Sequence, residues 1–108
     1  MGAVFVIKQN DRQPYLYATL LQADGAPVDL TGATVKFVMQ KQDGTALKVN
    51  ADAIIINAPE GTVEYRWAAG DTDTPGNYRA EFKVLFAGSQ MTVPNAEYIT
   101  VRIEKGLG

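Results

Sequence analysis

A chain of 108 residues has the length of one small domain, enough to bury roughly 65% of the surface that its unfolded form exposes. Its 10 basic and 12 acidic residues leave a net charge of −2, and it has neither histidine nor cysteine, which removes the usual general base near neutral pH, Ser-His and Cys-His nucleophiles, disulfides and thiolate metal sites. The charges are interspersed in sign along the chain instead of forming the basic footprint that nucleic acid needs; no apolar run approaches the ~20 residues of a membrane span, and Met1 to Lys8 lacks the pattern of a signal peptide. The expectation is a protein made in a cytoplasm, with neither nucleic acid nor membrane as partner.

In chain order, Val4 to Gln9 reads as a first strand, ended by the polar turn Asn10-Asp11-Arg12-Gln13-Pro14. Tyr15 to Gln22 is a second, turned by Ala23-Asp24-Gly25-Ala26-Pro27 into a short third, Val28-Asp29-Leu30. Thr34 to Gln40 alternates, with Val35, Phe37 and Met39 inward and Lys36 and Gln40 outward, and stops at Gln42-Asp43-Gly44. Leu47 to Asn57 is less regular. Thr62 to Trp67 alternates again, Val63, Tyr65 and Trp67 against Thr62, Glu64 and Arg66. After the break Gly70 to Gly76, the residues Tyr78, Ala80, Phe82, Val84 and Phe86 alternate with Asn77, Arg79, Glu81 and Lys83 in the longest strand. Gly88-Ser89-Gln90 turns the chain, Pro94-Asn95 breaks it, and Tyr98 to Glu104 closes it with Ile99, Val101 and Ile103 on one face.

No segment repeats apolar residues at helical spacing for three turns, whereas turn signals recur at the spacing of an antiparallel sandwich or barrel. Seven to nine strands are expected, in a single domain over residues 1–108. The Gly76-x-Tyr78 pair favours the sandwich. In immunoglobulin-type domains a tyrosine two residues before the second disulfide cysteine bonds back to the upstream backbone; here Ala80 takes the cysteine position. The fold expected is therefore an all-β, immunoglobulin-like antiparallel β-sandwich with no disulfide, in which Gly76, Tyr78, Ala80 and a core Trp67 are structural.

Candidate chemistry is sparse. Asp71 and Asp73, with Asp24, Asp29 or Asp43, offer oxygen ligands to calcium, but no Asp-x-Asp-x-Asp-Gly loop with its distal Glu is present. Asp in turns is explained by bonds to its own backbone. Glu64 and Glu81 fall on solvent faces, where cross-strand pairing with Arg66, Arg79 or Lys83 accounts for them. No catalytic residue, metal or cofactor is expected. Tyr15, Tyr17, Trp67 and Tyr98 suggest an aromatic platform for sugar rings, the basis of an alternative reading as a carbohydrate- or cell-surface-binding module. Alternation fails in Val4-Phe5-Val6-Ile7, Ile54-Ile55-Ile56 and Val84-Leu85-Phe86. One face of each must meet something other than the core, and Val4, Phe5, Ile55 and Leu85 are the residues expected to meet a partner chain.

The stretch Asp24-Gly25-Ala26-Pro27-Val28-Asp29-Leu30-Thr31-Gly32-Ala33-Thr34-Val35-Lys36-Phe37, followed by Gly61-Thr62-Val63-Glu64-Tyr65 and by Pro75-Gly76-Asn77-Tyr78-Arg79-Ala80-Glu81-Phe82, resembles the N-terminal immunoglobulin-like module of the tailed-phage baseplate upper protein (BppU) family. Ile7-Lys8-Gln9-Asn10-Asp11 at the start and Pro94-Asn95 before the final strand follow the same order of elements. The resemblance implies a non-catalytic virion structural protein of a tail or baseplate, made in the bacterial host and bound to neighbouring virion subunits or to further copies of itself. Family members often continue into a long C-terminal part that contacts the host, and this chain stops at Gly108.

Overall fold

The structure, a computed structural model, describes residues 4–44, 46–93 and 99–107, among which there is no helix. Nine strands follow in order: β1 (Val4–Lys8), β2 (Leu16–Thr19), β3 (Thr34–Lys41), β4 (Leu47–Asp52), β5 (Ile54–Asn57), β6 (Thr62–Tyr65), β7 (Gly76–Phe86), β8 (Ser89–Val93) and β9 (Ile99–Glu104). One sheet has the order β1-β9-β7-β3-β4, with β8 also on β7; the other is β2-β6-β5. β7 is the axis of the larger sheet. One side of it pairs with β3 from Lys41↔Tyr78 to Thr34↔Leu85. The other side pairs first with β9, over Gly76 to Ala80, and then with β8, over Phe82 to Phe86.

Four features differ from the expectation. The sandwich is mixed, because β1 runs parallel to β9, a pairing that needs a long crossover and obtains it from the entire intervening chain. Leu47 to Asn57 is two strands in different sheets, parted at Ala53, so its irregular pattern records a change of layer. Ser89–Val93, between a turn and a proline, is a strand of its own. Val28 to Leu30 is no strand: Val28 and Leu30 are buried as plugs, held by Val28 N–H to the Leu20 carbonyl and Leu30 N–H to the Ala58 carbonyl, 2.9 Å each.

Alternation places the core. Val35, Phe37 and Met39 of β3, Tyr78, Ala80, Phe82 and Val84 of β7, and Val101 and Ile103 of β9 face Leu16, Val63, Tyr65 and Trp67. The centre is aromatic and joins the layers. Phe37 stacks on Tyr65 with ring centroids 4.4 Å apart, meets Trp67 edge-on at 5.7 Å, and lies 5.3 Å from Phe82. Each polar end of this cluster is satisfied: Trp67 Nε1–H donates to the Pro14 carbonyl at 3.1 Å, and the Tyr65 hydroxyl donates to Asp71. Burial of Tyr65, together with that carboxylate, holds its phenol proton far more tightly than in water.

Two backbone-directed details lock the loops. The Tyr78 hydroxyl donates to the Thr74 carbonyl at 2.6 Å, closing the corner in which Gly76 adopts φ +147°. Gly61 sits at φ +70°, where a Cβ would lie 2.7 Å from the Leu20 carbonyl oxygen and 2.8 Å from that of Val28. Only glycine lets the chain pass there.

Urea denaturation should therefore rank three substitutions. Phe37→Ala, at a residue with no exposed surface, costs about 3–5 kcal/mol, a large part of an ordinary domain's stability. Tyr78→Phe costs about 1–2 kcal/mol by leaving the Thr74 carbonyl without its donor. Gly61→Ala should destabilise more than Tyr78→Phe, since it adds a backbone clash to a strained φ; a smaller effect than Tyr78→Phe would contradict the close approach described.

Candidate functional site

The chemistry-bearing side chains are dispersed. Asp71 accepts from the Tyr65 hydroxyl and from Ala68 N–H at 2.8 Å, closing its own turn. Asp73 pairs with Lys48 and accepts from the Thr74 hydroxyl at 2.9 Å. Asp24 and Asp29 accept from the backbone N–H groups of Ala26 and Thr31, two residues on. No group of three or more potential metal ligands occurs among the described residues. Glu64 pairs with Arg66 at 2.9 Å and Glu81 with Lys83 at 3.4 Å, so these carboxylates do not meet across a cleft.

The aromatic residues separate in the same way. Trp67 is enclosed in the core, whereas Tyr15 and Tyr17 stand exposed on the outer side of β2 and its approach. Tyr98 lies outside the described residues. Any sugar-stacking platform therefore consists of Tyr15 and Tyr17, without Trp67.

The apolar runs acquire a phase from packing. In β1, Phe5 turns inward, its ring 5.8 Å from that of Trp67, and Ile7 is buried, leaving Val4 58% and Val6 45% exposed. In β5, Ile55 packs on the core and Ile54 and Ile56 face out. Phe5 and Ile55 were expected at an outer surface; they are half-buried inward residues, and their sequence neighbours carry the exposed surface. A run without polar residues contains no clue to which member points in. Leu85 is half-buried on the outer face of β7, between Thr34 and Gln90 on the flanking strands.

One concave surface stands out. Among the described residues β1 pairs only with β9 and β2 only with β6, and residues of both strands line one hollow. Between them lies a groove of about 420 Å³, floored by Phe5, Leu16, Ala18, Leu20, Val93 and Ile99, with the exposed Val4 and Tyr17 among its walls. No charged side chain is among those residues. Strand edges are ordinarily guarded by charge, proline or a covering loop. Among the described residues no third strand pairs with these edges, and the groove between them is lined by apolar side chains with Tyr17 and Thr19. Val4 signals this surface in the sequence; Leu16, Ala18 and Leu20 do not, since alternation along β2 leaves open which of its faces is the more exposed.

Comparison with known proteins bears on this geometry. The family model described as BppU N-terminal domain matches residues 6–107. Among solved structures, the chain is similar to the N-terminal domain of phage TP901-1 ORF48, with a TM-score of 0.71 and 16% sequence identity, covering 95% of this chain and 86% of that one. At that identity the likeness concerns the fold. Among curated proteins no significant match was found.

The turn carboxylates predict an acid response. Hydrogen bonds from Lys48, and then from Thr74, hold the Asp73 carboxyl below its ordinary range, and those from Thr31 do the same for Asp29. Groups whose folded pKa lies below the unfolded value of about 3.9 stabilise above that pH, and the contribution is lost as pH falls through the folded values. The urea midpoint should therefore drop progressively below about pH 4, and Asp73→Asn should flatten that drop while lowering the neutral-pH midpoint. An unchanged slope in the variant would refute the assignment to Asp73.

Proposed function

The chain belongs to the BppU N-terminal domain family of phage baseplate proteins, and from that premise we propose that it is a non-catalytic attachment module that docks onto neighbouring virion subunits through the groove between β1 and β2. The observation that carries this reading is the pairing of an uncharged apolar hollow with two strand edges that have no further strand beside them among the described residues. An extended segment of another subunit laid along β2 would satisfy its backbone groups and bury Val4, Phe5 and Tyr17. The outward Ile54 and Ile56 beside Ile55, and Leu85 on the opposite face, provide secondary contacts in an assembly where one subunit meets several others. The absence of histidine and cysteine and the consumption of turn aspartates in backbone bonds support a role without catalysis. Residence in the virion, after synthesis in the host cytoplasm, follows from the same reading.

Val4→Lys places a charge at the groove wall on a residue that already faces solvent, so the purified variant should keep the wild-type urea midpoint. Quantitative mass spectrometry of purified particles should find it depleted at least tenfold relative to wild type. Wild-type-like incorporation of a folded Val4→Lys protein would remove the groove from the docking surface, and the same measurement on Leu85→Lys would show whether the opposite face contributes.

A further inference from the structure

Tyr15, the residue before the groove's Leu16, lines a second hollow of about 400 Å³ together with Arg12, Gln13, Arg66 and Trp67. Its two arginines are both anchored through Nε. Arg12 Nε–H donates to the Trp67 carbonyl at 3.1 Å. Arg66 Nε–H donates to Glu64 at 2.9 Å, and its guanidinium carbon lies 5.2 Å from the centre of the Tyr15 ring. Among the described residues neither guanidinium bonds a protein group through its terminal nitrogens, and Arg12 has no ion-pair partner at all. Glu64 offsets one of the two charges, which leaves the hollow with a positive charge that no ion pair among the described residues compensates.

Arginine held at Nε keeps its terminal N–H groups for planar, two-pronged recognition of a carboxylate, and stacking on an aromatic ring limits its freedom further. The anchor of Arg12 is the carbonyl of a core residue, Trp67, so this guanidinium is set by the interior of the sandwich. The chain as a whole carries a net charge of −2, so a positive hollow is a local arrangement and not part of a basic surface.

We propose that this hollow receives an Asp or Glu side chain of the subunit segment that occupies the neighbouring groove, an inference that deepens the attachment reading and rests on it. The segment then has a readable pattern: apolar side chains opposite Leu16, Ala18 and Leu20, and an acidic residue at the end of β2 where Tyr15 stands. Apolar burial supplies the bulk of the contact, and the carboxylate fixes which register along β2 is used.

The test compares particles assembled with wild type, with Arg12→Gln/Arg66→Gln, and with Arg12→Lys/Arg66→Lys, each variant first shown to keep the wild-type urea midpoint. Mass spectrometry should find the glutamine variant depleted at least tenfold. The lysine variant, which keeps charge but not the fork, should be depleted at least threefold. In parallel, the Nε–H resonances of Arg12 and Arg66 in the purified protein should shift saturably with blocked triglutamate and far less with inorganic phosphate. Wild-type incorporation alongside equal incorporation of the glutamine variant overturns the inference and leaves the attachment reading intact. Absence of the wild-type protein from particles removes both. Full rescue by lysine, or an equal response to phosphate, overturns recognition of a carboxylate by the guanidinium fork.

Discussion

The contact on which this sandwich depends is the stacking of Phe37 on Tyr65, with Trp67 set edge-on to both. Two sheets with no disulfide between them are joined by packing alone, and the position of the second cysteine of an immunoglobulin-type bridge is filled by Ala80, which is 1% exposed and lies opposite Met39. Large aromatic side chains suit that task, because each removes much apolar surface from water and their edge and stacked geometries add about 0.5–1.5 kcal/mol per pair. The cluster also reaches outward. Trp67 binds the Pro14 carbonyl through its indole and Arg12 through its own carbonyl, so the loop that joins β1 to β2 is tied to the centre of the core. Surface recognition and interior cohesion thus share one residue.

The two sheets dispose of their edges unequally. β4 is flanked by ion pairs, Lys36 with Asp52 at 2.9 Å and Lys48 with Asp73, which make it a poor template for another strand. β7 leaves little of itself unpaired, since β9 and β8 share its second side. Among the described residues β1 and β2 have no such protection on the side where they approach each other, and the space between them is apolar. The guarded β4 edge thus contrasts with the apolar hollow between β1 and β2, while β5, the other edge of the smaller sheet, carries the exposed Ile54 and Ile56. The BppU N-terminal domain family, to which the chain belongs, is a natural setting for such asymmetry.

Much of the fold is legible in the residue pattern wherever one face is wet and the other dry. β3, β6 and β7 announce themselves by period two, and the glycine and tyrosine of the corner mark where β7 begins. Legibility ends where the physics is not local. β8 is brief and framed by turn formers, and its partner is chosen by the length of β7. The break at Ala53 depends on which sheet has room for the next strand. Phe5 and Ile55 sit in runs where every residue is apolar, so only the packed core decides which side chains enter it. The hollow at Arg12 is harder still. Arg12 meets the carbonyl of Trp67, 55 positions away, and nothing in either neighbourhood foretells the meeting.

The parallel union of β1 with β9 has a mechanical side. Val4 lies beside Thr100 and Lys8 beside Glu104, so the start of one strand and the finish of the other occupy opposite ends of a ladder with five matched positions. Tension applied between those two points would try to slide the strands past each other, straining the rungs together in shear; an antiparallel terminal hairpin would instead peel open one rung at a time. Closed in this way, the sheet meets such a pull with all five rungs at once, and its first and last strands brace each other along their length.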